Sequence, residues 1–86
     1  MAITVVFEFL GVAVERYDQA LEMAEDLRTQ PTRSHHICYR TAGGFTIVDV
    51  WHSEEDFAAF AEVLNPVLAE LGLRAEPRIY PLHNTM

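Results

Sequence analysis

Hydrophobic and polar positions follow two different periods along this chain, and the changes of period mark six elements. Four segments are rich in β-branched and aromatic residues and are predicted strands: Ala2–Leu10, Ser34–Thr41, Phe45–His52 and Glu76–His83. Two segments between them repeat apolar residues every three or four positions, which predicts amphipathic helices. The predicted order is therefore strand, helix, strand, strand, helix, strand.

The first helix is predicted from Val14 to Arg28. Its apolar face carries a tyrosine and four aliphatic residues, which are Tyr17, Ala20, Leu21, Ala24 and Leu27. The acidic residues of this segment fall elsewhere and are interpreted as a solvated face. Pro31 lies in the loop that follows, where it prevents helical continuation.

The second helix is predicted to begin after Ser53, because the Ser53 hydroxyl can accept a hydrogen bond from the amide of Asp56. The three acids Glu54–Asp56 fall in its first turn, where the helix dipole favours negative charge, so capping explains them better than metal binding does. Pro66 is expected to break the helix, with a short continuation to Leu71.

The element order predicts a single α+β domain over residues 1–86, with a ferredoxin-like βαββαβ antiparallel sheet and both helices on one face. The other face of such a sheet stays bare. Four apolar residues are expected there: Ile37, Tyr39, Val48 and Val50. This face is too apolar for water, which predicts a homodimer with two sheets packed face to face.

Composition excludes several functions. The chain has 86 residues, a net charge of −7 and no lysine, so nucleic-acid binding, Schiff-base chemistry and the P-loop motif are not expected. Its single cysteine, Cys38, cannot form an internal disulfide and fits a reducing compartment. No apolar run is long enough to cross a bilayer, and a cytoplasmic location is expected by default.

The segment Val50–Phe57 carries a resemblance. A strand-end Trp followed by Ser, acidic residues and Phe is similar to the start of the second helix in antibiotic-biosynthesis monooxygenase-like proteins of the dimeric α+β barrel superfamily. That resemblance implies a pocket between sheet and helices, used for cofactor-free oxygenation, cyclisation or isomerisation of hydrophobic aromatic or polyketide-like molecules. Haem-degrading relatives combine this Trp with an Asn on the first strand and a His on the second helix. This sequence has neither, so no cofactor is expected.

The third strand holds the main catalytic candidate. If Gly43-Gly44 forms a two-residue turn, Cys38 opposes Asp49 and His36 opposes Trp51 on the face toward the helices. A three-residue turn with a bulge would shift this pairing by one residue. Asp49 is predicted to be a general base, because burying its carboxylate raises its proton affinity, and His36 a second acid–base group.

Four further residues are candidates for substrate binding. Trp51 could form a wall for a flat ligand or serve core packing alone. Arg40 could line the cavity or hold Asp49 in a structural ion pair. Cys38 is expected to be a small buried hydrophobe with an unreactive thiol. Glu8 is the only acid of the first strand, and its direction is left open.

Metal binding is not expected. His35 and His52 would be neighbours on the dimer-facing side, but no third ligand has suitable spacing.

Three hypotheses follow for function: a cofactor-independent enzyme, a binding protein for a small molecule, and a purely structural dimeric module. A cavity smaller than roughly 300 Å³ beside Asp49 would favour the structural module.

Overall fold

The computed structural model describes residues 1–86 as four strands, two α-helices and one turn of 3-10 helix. The strands are β1 (Ile3–Leu10), β2 (Arg33–Thr41), β3 (Gly44–Trp51) and β4 (Arg78–Pro81). The helices are α1 (Glu15–Met23) and α2 (Glu54–Glu70), and the 3-10 turn Glu25–Leu27 follows α1.

The strands form one antiparallel sheet in the order β2-β3-β1-β4, as the ferredoxin-like prediction requires. Strand β4 lies at the edge, where Pro81 removes no hydrogen bond needed by a further strand. This edge position confirms the expectation from the prolines, although β4 is shorter than the predicted Glu76–His83. None of the helices is long and apolar enough to span a membrane.

The hydrophobic core lies between one face of the sheet and the two helices. Alternate residues of β1 point into it, because successive side chains of a strand face opposite sides. The twelve buried residues of the core are Ile3, Val5, Phe7, Phe9, Ala20, Leu27, Phe45, Trp51, Phe57, Phe60, Val67 and Leu68.

Helix α1 is shorter than predicted. It ends at Met23, and Ala24 adopts an extended conformation before the 3-10 turn begins. The predicted continuation would have placed Glu25 and Asp26 near the carboxyl end of the helix, where the helix dipole disfavours negative charge. The break still leaves Leu27 buried in the core.

Helix α2 is longer than predicted, because Pro66 does not break it. The helix continues from Glu54 to Glu70 with Pro66 inside, although a proline in a helix costs about 3 kcal/mol or more. Buried residues on both sides of Pro66, Phe60 before it and Val67 after it, hold the helix against the sheet. Ser53 caps the helix as predicted, accepting a hydrogen bond of 3.2 Å from the amide of Asp56.

The hairpin between β2 and β3 has a different register from the prediction. Thr41 pairs with Gly44, so the turn is Ala42–Gly43. Gly44 belongs to the strand, where a Cβ atom would overlap the backbone carbonyl oxygen of Phe9 on β1. Neither the predicted pairing of Cys38 with Asp49 nor the one-residue shift is found.

The register instead shifts by two residues. Cys38 therefore opposes Ile47, and His36 opposes Asp49. Because the side-chain period of a strand is two, this shift leaves every residue on its predicted face.

The face of the sheet away from the helices is uncovered in the single chain. Ile37 and Tyr39 are 54% and 50% exposed there, as expected for the bare apolar face. Val50 departs from that expectation and is buried, since Thr4 on β1 and His35 on β2 flank it.

Candidate functional site

A β-bulge at the start of β2 directs the Arg33 side chain toward the site. Arg33 pairs with Trp51 and His35 pairs with Val50, so Ser34 is an extra residue in β2. In a regular ladder Arg33 would alternate to the open face. The bulge turns it toward the helices, where its guanidinium carbon lies 5.6 Å from the Trp51 ring and 5.5 Å from the Phe60 ring.

His36 and Asp49 form the centre of the site. Nδ1 of His36 lies 2.5 Å from Oδ1 of Asp49, across the two adjacent strands. The Asp49 side chain is only 2% exposed, and His36 is its one hydrogen-bonding side-chain partner. A buried carboxylate without a partner would cost several kcal/mol, so this contact is what makes Asp49 tolerable in the interior.

Tyr17 extends this pair into a chain of three side chains. Its hydroxyl lies 2.7 Å from Nε2 of His36, and the two rings stack with a 5.9 Å separation. With Asp49 ionised, Nδ1–H of His36 donates to the carboxylate, and Nε2 is left to accept the Tyr17 hydroxyl. Such an arrangement can move a proton from the hydroxyl to the imidazole, while the carboxylate stabilises the imidazolium that results.

Burial raises the pKa of two groups near His36, the Tyr17 hydroxyl and the Cys38 thiol. Desolvation raises the pKa of Tyr17 above its ordinary value of 10.0, with smaller contributions from Cys38 and Asp49. The positive charge of Arg33 opposes this rise. Desolvation also raises the pKa of the Cys38 thiol, and the charges of Asp18 and Asp49 add to the effect. Both groups therefore stay protonated near neutral pH.

Two adjoining cavities meet at Tyr17 and His36. The inner cavity, which contains Asp49, has a volume of about 50 Å³ and is lined mostly by hydrophobic side chains from both helices and the sheet. The outer pocket has about 290 Å³ and is more open to solvent. Its six lining residues are Tyr17, Leu21, Leu27, Arg28, Arg33 and His36. The volume beside Asp49 alone therefore lies below the roughly 300 Å³ of an ordinary ligand pocket, while the outer pocket approaches it.

Trp51 faces the helices as predicted but does not line either of these cavities. It is fully buried, and the Phe57 and Phe60 rings lie 6.1 and 4.8 Å from it. Its indole N–H has no hydrogen-bond partner in the chain. Of the two interpretations, packing accounts for these contacts.

The other predicted binding residues lie away from both cavities. Cys38 is half-buried on the helix side but lines neither of them. Arg40 is exposed near the hairpin turn opposite Phe45, and the ion pair with Asp49 is not formed. Glu8 points to the open face of the sheet, where its carboxylate lies 2.5 Å from the Arg78 guanidinium. The two-residue register shift moved Arg40 away, and the alternation of β1 directs Glu8 outward.

Sequence reasoning missed Tyr17 and Arg33. Tyr17 was expected on the buried face of the first helix, but only as a packing residue. The available signal was its hydroxyl, since a hydroxyl buried on that face needs a hydrogen-bond partner. The sequence predicts a loop at Arg33, and no pattern in it marks the bulge that directs this side chain inward. No group of three or more His, Cys, Asp and Glu side chains has the geometry to hold a metal ion.

No family model and no curated protein matches the sequence. Solved structures do match. SnoaB, a cofactor-independent oxygenase from Streptomyces nogalater, is 20% identical with a TM-score of 0.72, over 99% of this chain and 96% of SnoaB. The chain has the fold of the antibiotic-biosynthesis monooxygenases. This confirms the resemblance and the fold class predicted from the sequence.

Two further structures share the antibiotic-biosynthesis monooxygenase fold. One is a Deinococcus radiodurans protein that is provisionally classed as an antibiotic-biosynthesis monooxygenase. It is 12% identical with a TM-score of 0.66, and the match covers 100% of this chain and 96% of the Deinococcus radiodurans chain. The ActVA-Orf6 monooxygenase of Streptomyces coelicolor, solved with the ligand Nanaomycin D, is 19% identical with a TM-score of 0.52. That match covers 99% of this chain and 90% of ActVA-Orf6.

Proposed function

We propose that this protein is a cofactor-independent enzyme of the cyclase, isomerase or monooxygenase type, acting on a hydrophobic, aromatic or polyketide-like small molecule. The observation that carries the proposal is the hydrogen-bonded chain Tyr17–His36–Asp49 on the wall of an apolar cavity. The structural neighbours named as oxygenases and monooxygenases support the same class of activity.

The chemistry follows from the protonation states. A substrate hydroxyl or an acidic carbon gives its proton to the Tyr17 oxygen, while the Tyr17 hydroxyl proton moves to Nε2 of His36. Tyr17 remains neutral throughout, in keeping with its raised pKa, and His36 becomes an imidazolium. The Asp49 carboxylate, 2.5 Å from Nδ1, stabilises that imidazolium. Asp49 therefore acts through His36, and Tyr17 touches the substrate.

The substrate anion has three outcomes. Return of the proton at another atom completes an isomerisation, and attack on a carbonyl carbon of the same molecule forms a ring. In a monooxygenase reaction, dioxygen is the oxidant: it converts an activated methylene into a carbonyl, one oxygen atom entering the product and the other leaving as water with the two hydrogens. All three begin with the same proton abstraction, so one assay tests them together.

The assay follows exchange of the methylene hydrogens of anthrone, a tricyclic ketone, in deuterated buffer without oxygen. The wild-type protein is expected to accelerate exchange, and Asp49→Asn and Tyr17→Phe are each expected to lose about a hundredfold or more of that acceleration. Tyr39→Phe is the matched control, because the Tyr39 hydroxyl lies on the open face. Equal acceleration by wild type and Asp49→Asn, with both chains folded, would refute the proposal.

The proposal includes a homodimer formed through the open face of the sheet. The exposed side chains of Ile37 and Tyr39 supply an apolar patch at the centre of β2, and burying it against a second copy would remove both from water. The two sets of helices would then lie on the outside, with one cavity in each protomer.

A non-catalytic module is the second candidate, favoured by one specific observation. The cavity beside Asp49 holds about 50 Å³, far less than a tricyclic molecule needs. In that case the buried chain of Tyr17, His36 and Asp49 stabilises the core and does nothing else. Native mass spectrometry separates the candidates: an intact ligand retained and released unchanged indicates a binding protein, and a consistently empty dimer without exchange activity indicates a structural module.

A further inference from the structure

Positive charge is concentrated around the two cavities. The chain carries thirteen acidic residues against six arginines. Three of those arginines line the cavities: Arg16 the inner one, Arg28 the outer one, and Arg33 both. No acidic residue lines the outer pocket, and Asp49, hydrogen-bonded to His36, is the single acid of the inner one. An otherwise acidic molecule therefore has a cationic entrance to its apolar interior.

Part of the Arg33 guanidinium has no partner in the chain: its charge is not paired with a carboxylate, and two of its nitrogens donate no hydrogen bond. Its Nη2 donates to the carbonyl oxygens of Leu27 at 2.9 Å and Arg28 at 3.1 Å. Its Nη1 and Nε have no hydrogen-bond partner in the chain, and no carboxylate lies within 4 Å of its guanidinium. The two carbonyl contacts close the 3-10 turn, but they account for only one of the three guanidinium nitrogens.

Arg28 repeats this pattern at the outer edge of the pocket. Its Nε donates weakly to the carbonyl oxygen of Leu21, at 3.4 Å, and it has no carboxylate partner either. The Arg33 guanidinium carbon lies over the Trp51 and Phe60 rings, and these cation–π contacts hold it in place, while Arg28 is exposed.

We infer that the outer pocket binds the anionic oxygen of an amphipathic ligand, a carboxylate or an ionised phenol, through Arg33 with help from Arg28. The apolar body of the ligand points along Leu21 and Leu27 toward the inner cavity, past Tyr17 and His36. A planar guanidinium with two free nitrogens is suited to such an oxygen, because charge-assisted hydrogen bonds are about twice as strong as neutral ones. The inference deepens the proposed function, since it defines the ligand class of the same cavity.

The test compares two probes with one ring system, 2-naphthoate and the uncharged 2-naphthylmethanol, by isothermal titration calorimetry. The wild-type protein is expected to bind the carboxylate at least about tenfold more tightly than the alcohol. Raising the salt concentration should weaken binding of the carboxylate alone. Arg33→Gln, which removes the positive charge and keeps a polar side chain, should remove the preference. Arg74→Gln should preserve it, because Arg74 is exposed and lines neither cavity.

Equal affinity for the two probes, or no binding of either, would overturn the inference without any variant being made. Arg28→Gln gives a second variant at an exposed position and should reduce the preference in part. Neither probe reacts, so the result is independent of the exchange assay. An anion preference without exchange activity would leave this inference standing and refute the proposed catalysis, whereas exchange activity without the preference would do the reverse.

Discussion

His36 and Asp49 stand directly opposite each other on β2 and β3, with Nδ1 of the imidazole 2.5 Å from Oδ1 of the carboxylate. This is a short, partly buried contact between groups that are both strongly hydrated in the unfolded chain. Its geometry is fixed by the ladder of the hairpin, because residues paired across two strands bring their side chains to the same side at close range. The contact between His36 and Asp49 therefore depends on the register in which β2 pairs with β3.

The coupling between these two residues is measurable in a double-mutant cycle. His36→Ala, Asp49→Ala and the double variant are expected to give an interaction energy of about 1–3 kcal/mol, because His36→Ala leaves the buried Asp49 carboxylate without its hydrogen-bond partner. Urea unfolding of the four chains provides the free energies. The exposed pair Glu8–Arg78 is the matched control and should give about 1 kcal/mol or less, since solvent screens it. Equal coupling in both pairs would contradict the structural account of Asp49.

Stability at alkaline pH should report the environment of Tyr17. Burial raises the pKa of Tyr17, so the folded chain holds the phenol proton more tightly than the unfolded chain does. This contribution is fully present below the unfolded value of 10.0 and is lost as pH rises through the higher folded value. The urea midpoint should therefore fall above about pH 10. Tyr17→Phe should reduce that fall, and an unchanged slope would show that the hydroxyl is solvated in the folded chain.

The Cys38 thiol should be slow to alkylate. Burial and the charges of Asp18 and Asp49 raise its pKa above 9.0, which lowers the thiolate fraction at pH 8. Iodoacetamide labelling followed by mass spectrometry should be several-fold slower than for the same chain in 8 M urea (roughly the concentration that exposes a small domain fully). The unfolded chain is the internal control, and equal rates in both conditions would refute the prediction.

The proposed dimer can be broken at its centre. Ile37→Asp adds a charge to the exposed apolar patch of the open face and should convert a dimer into a monomer in light scattering at micromolar concentration. Val63→Asp is the control, because Val63 is an exposed hydrophobic residue on α2, away from that face. A wild-type protein that is already monomeric would refute the dimer, as would a dimer that survives Ile37→Asp.

The fold was predictable because its signals are redundant. The β-branched and aromatic composition of the first strand, the Ser53 cap and the hairpin glycines agree with one βαββαβ order, and the structure follows it. The boundaries that failed depend on competition between local and tertiary effects. At Pro66, packing of Phe60 and Val67 outweighs the lost backbone hydrogen bond, and after Met23 an acidic helix end gives way to a 3-10 turn.

The site was predictable only in part, for a geometric reason. The sequence predicts that Asp49 and His36 share one face of the hairpin, and this shared face survives the two-residue register shift. Tyr17 belongs to another element, so its approach to His36 depends on how α1 lies on the sheet. Trp51 was placed on the correct face, but the sequence could not show that Phe57 and Phe60 enclose it.

The bulge at Ser34 decides which side chain of β2 faces the helices opposite Trp51. Arg33 reaches the interior because one extra residue reverses the alternation of β2 before it pairs with Trp51. If β2 paired regularly through this point, Ser34 would lie opposite Trp51 and Arg33 would point to the open face, which would leave Arg28 as the one arginine of the outer pocket. The charge that the pocket offers to a ligand is therefore decided by a local irregularity of the backbone ladder as well as by the residues of the sequence.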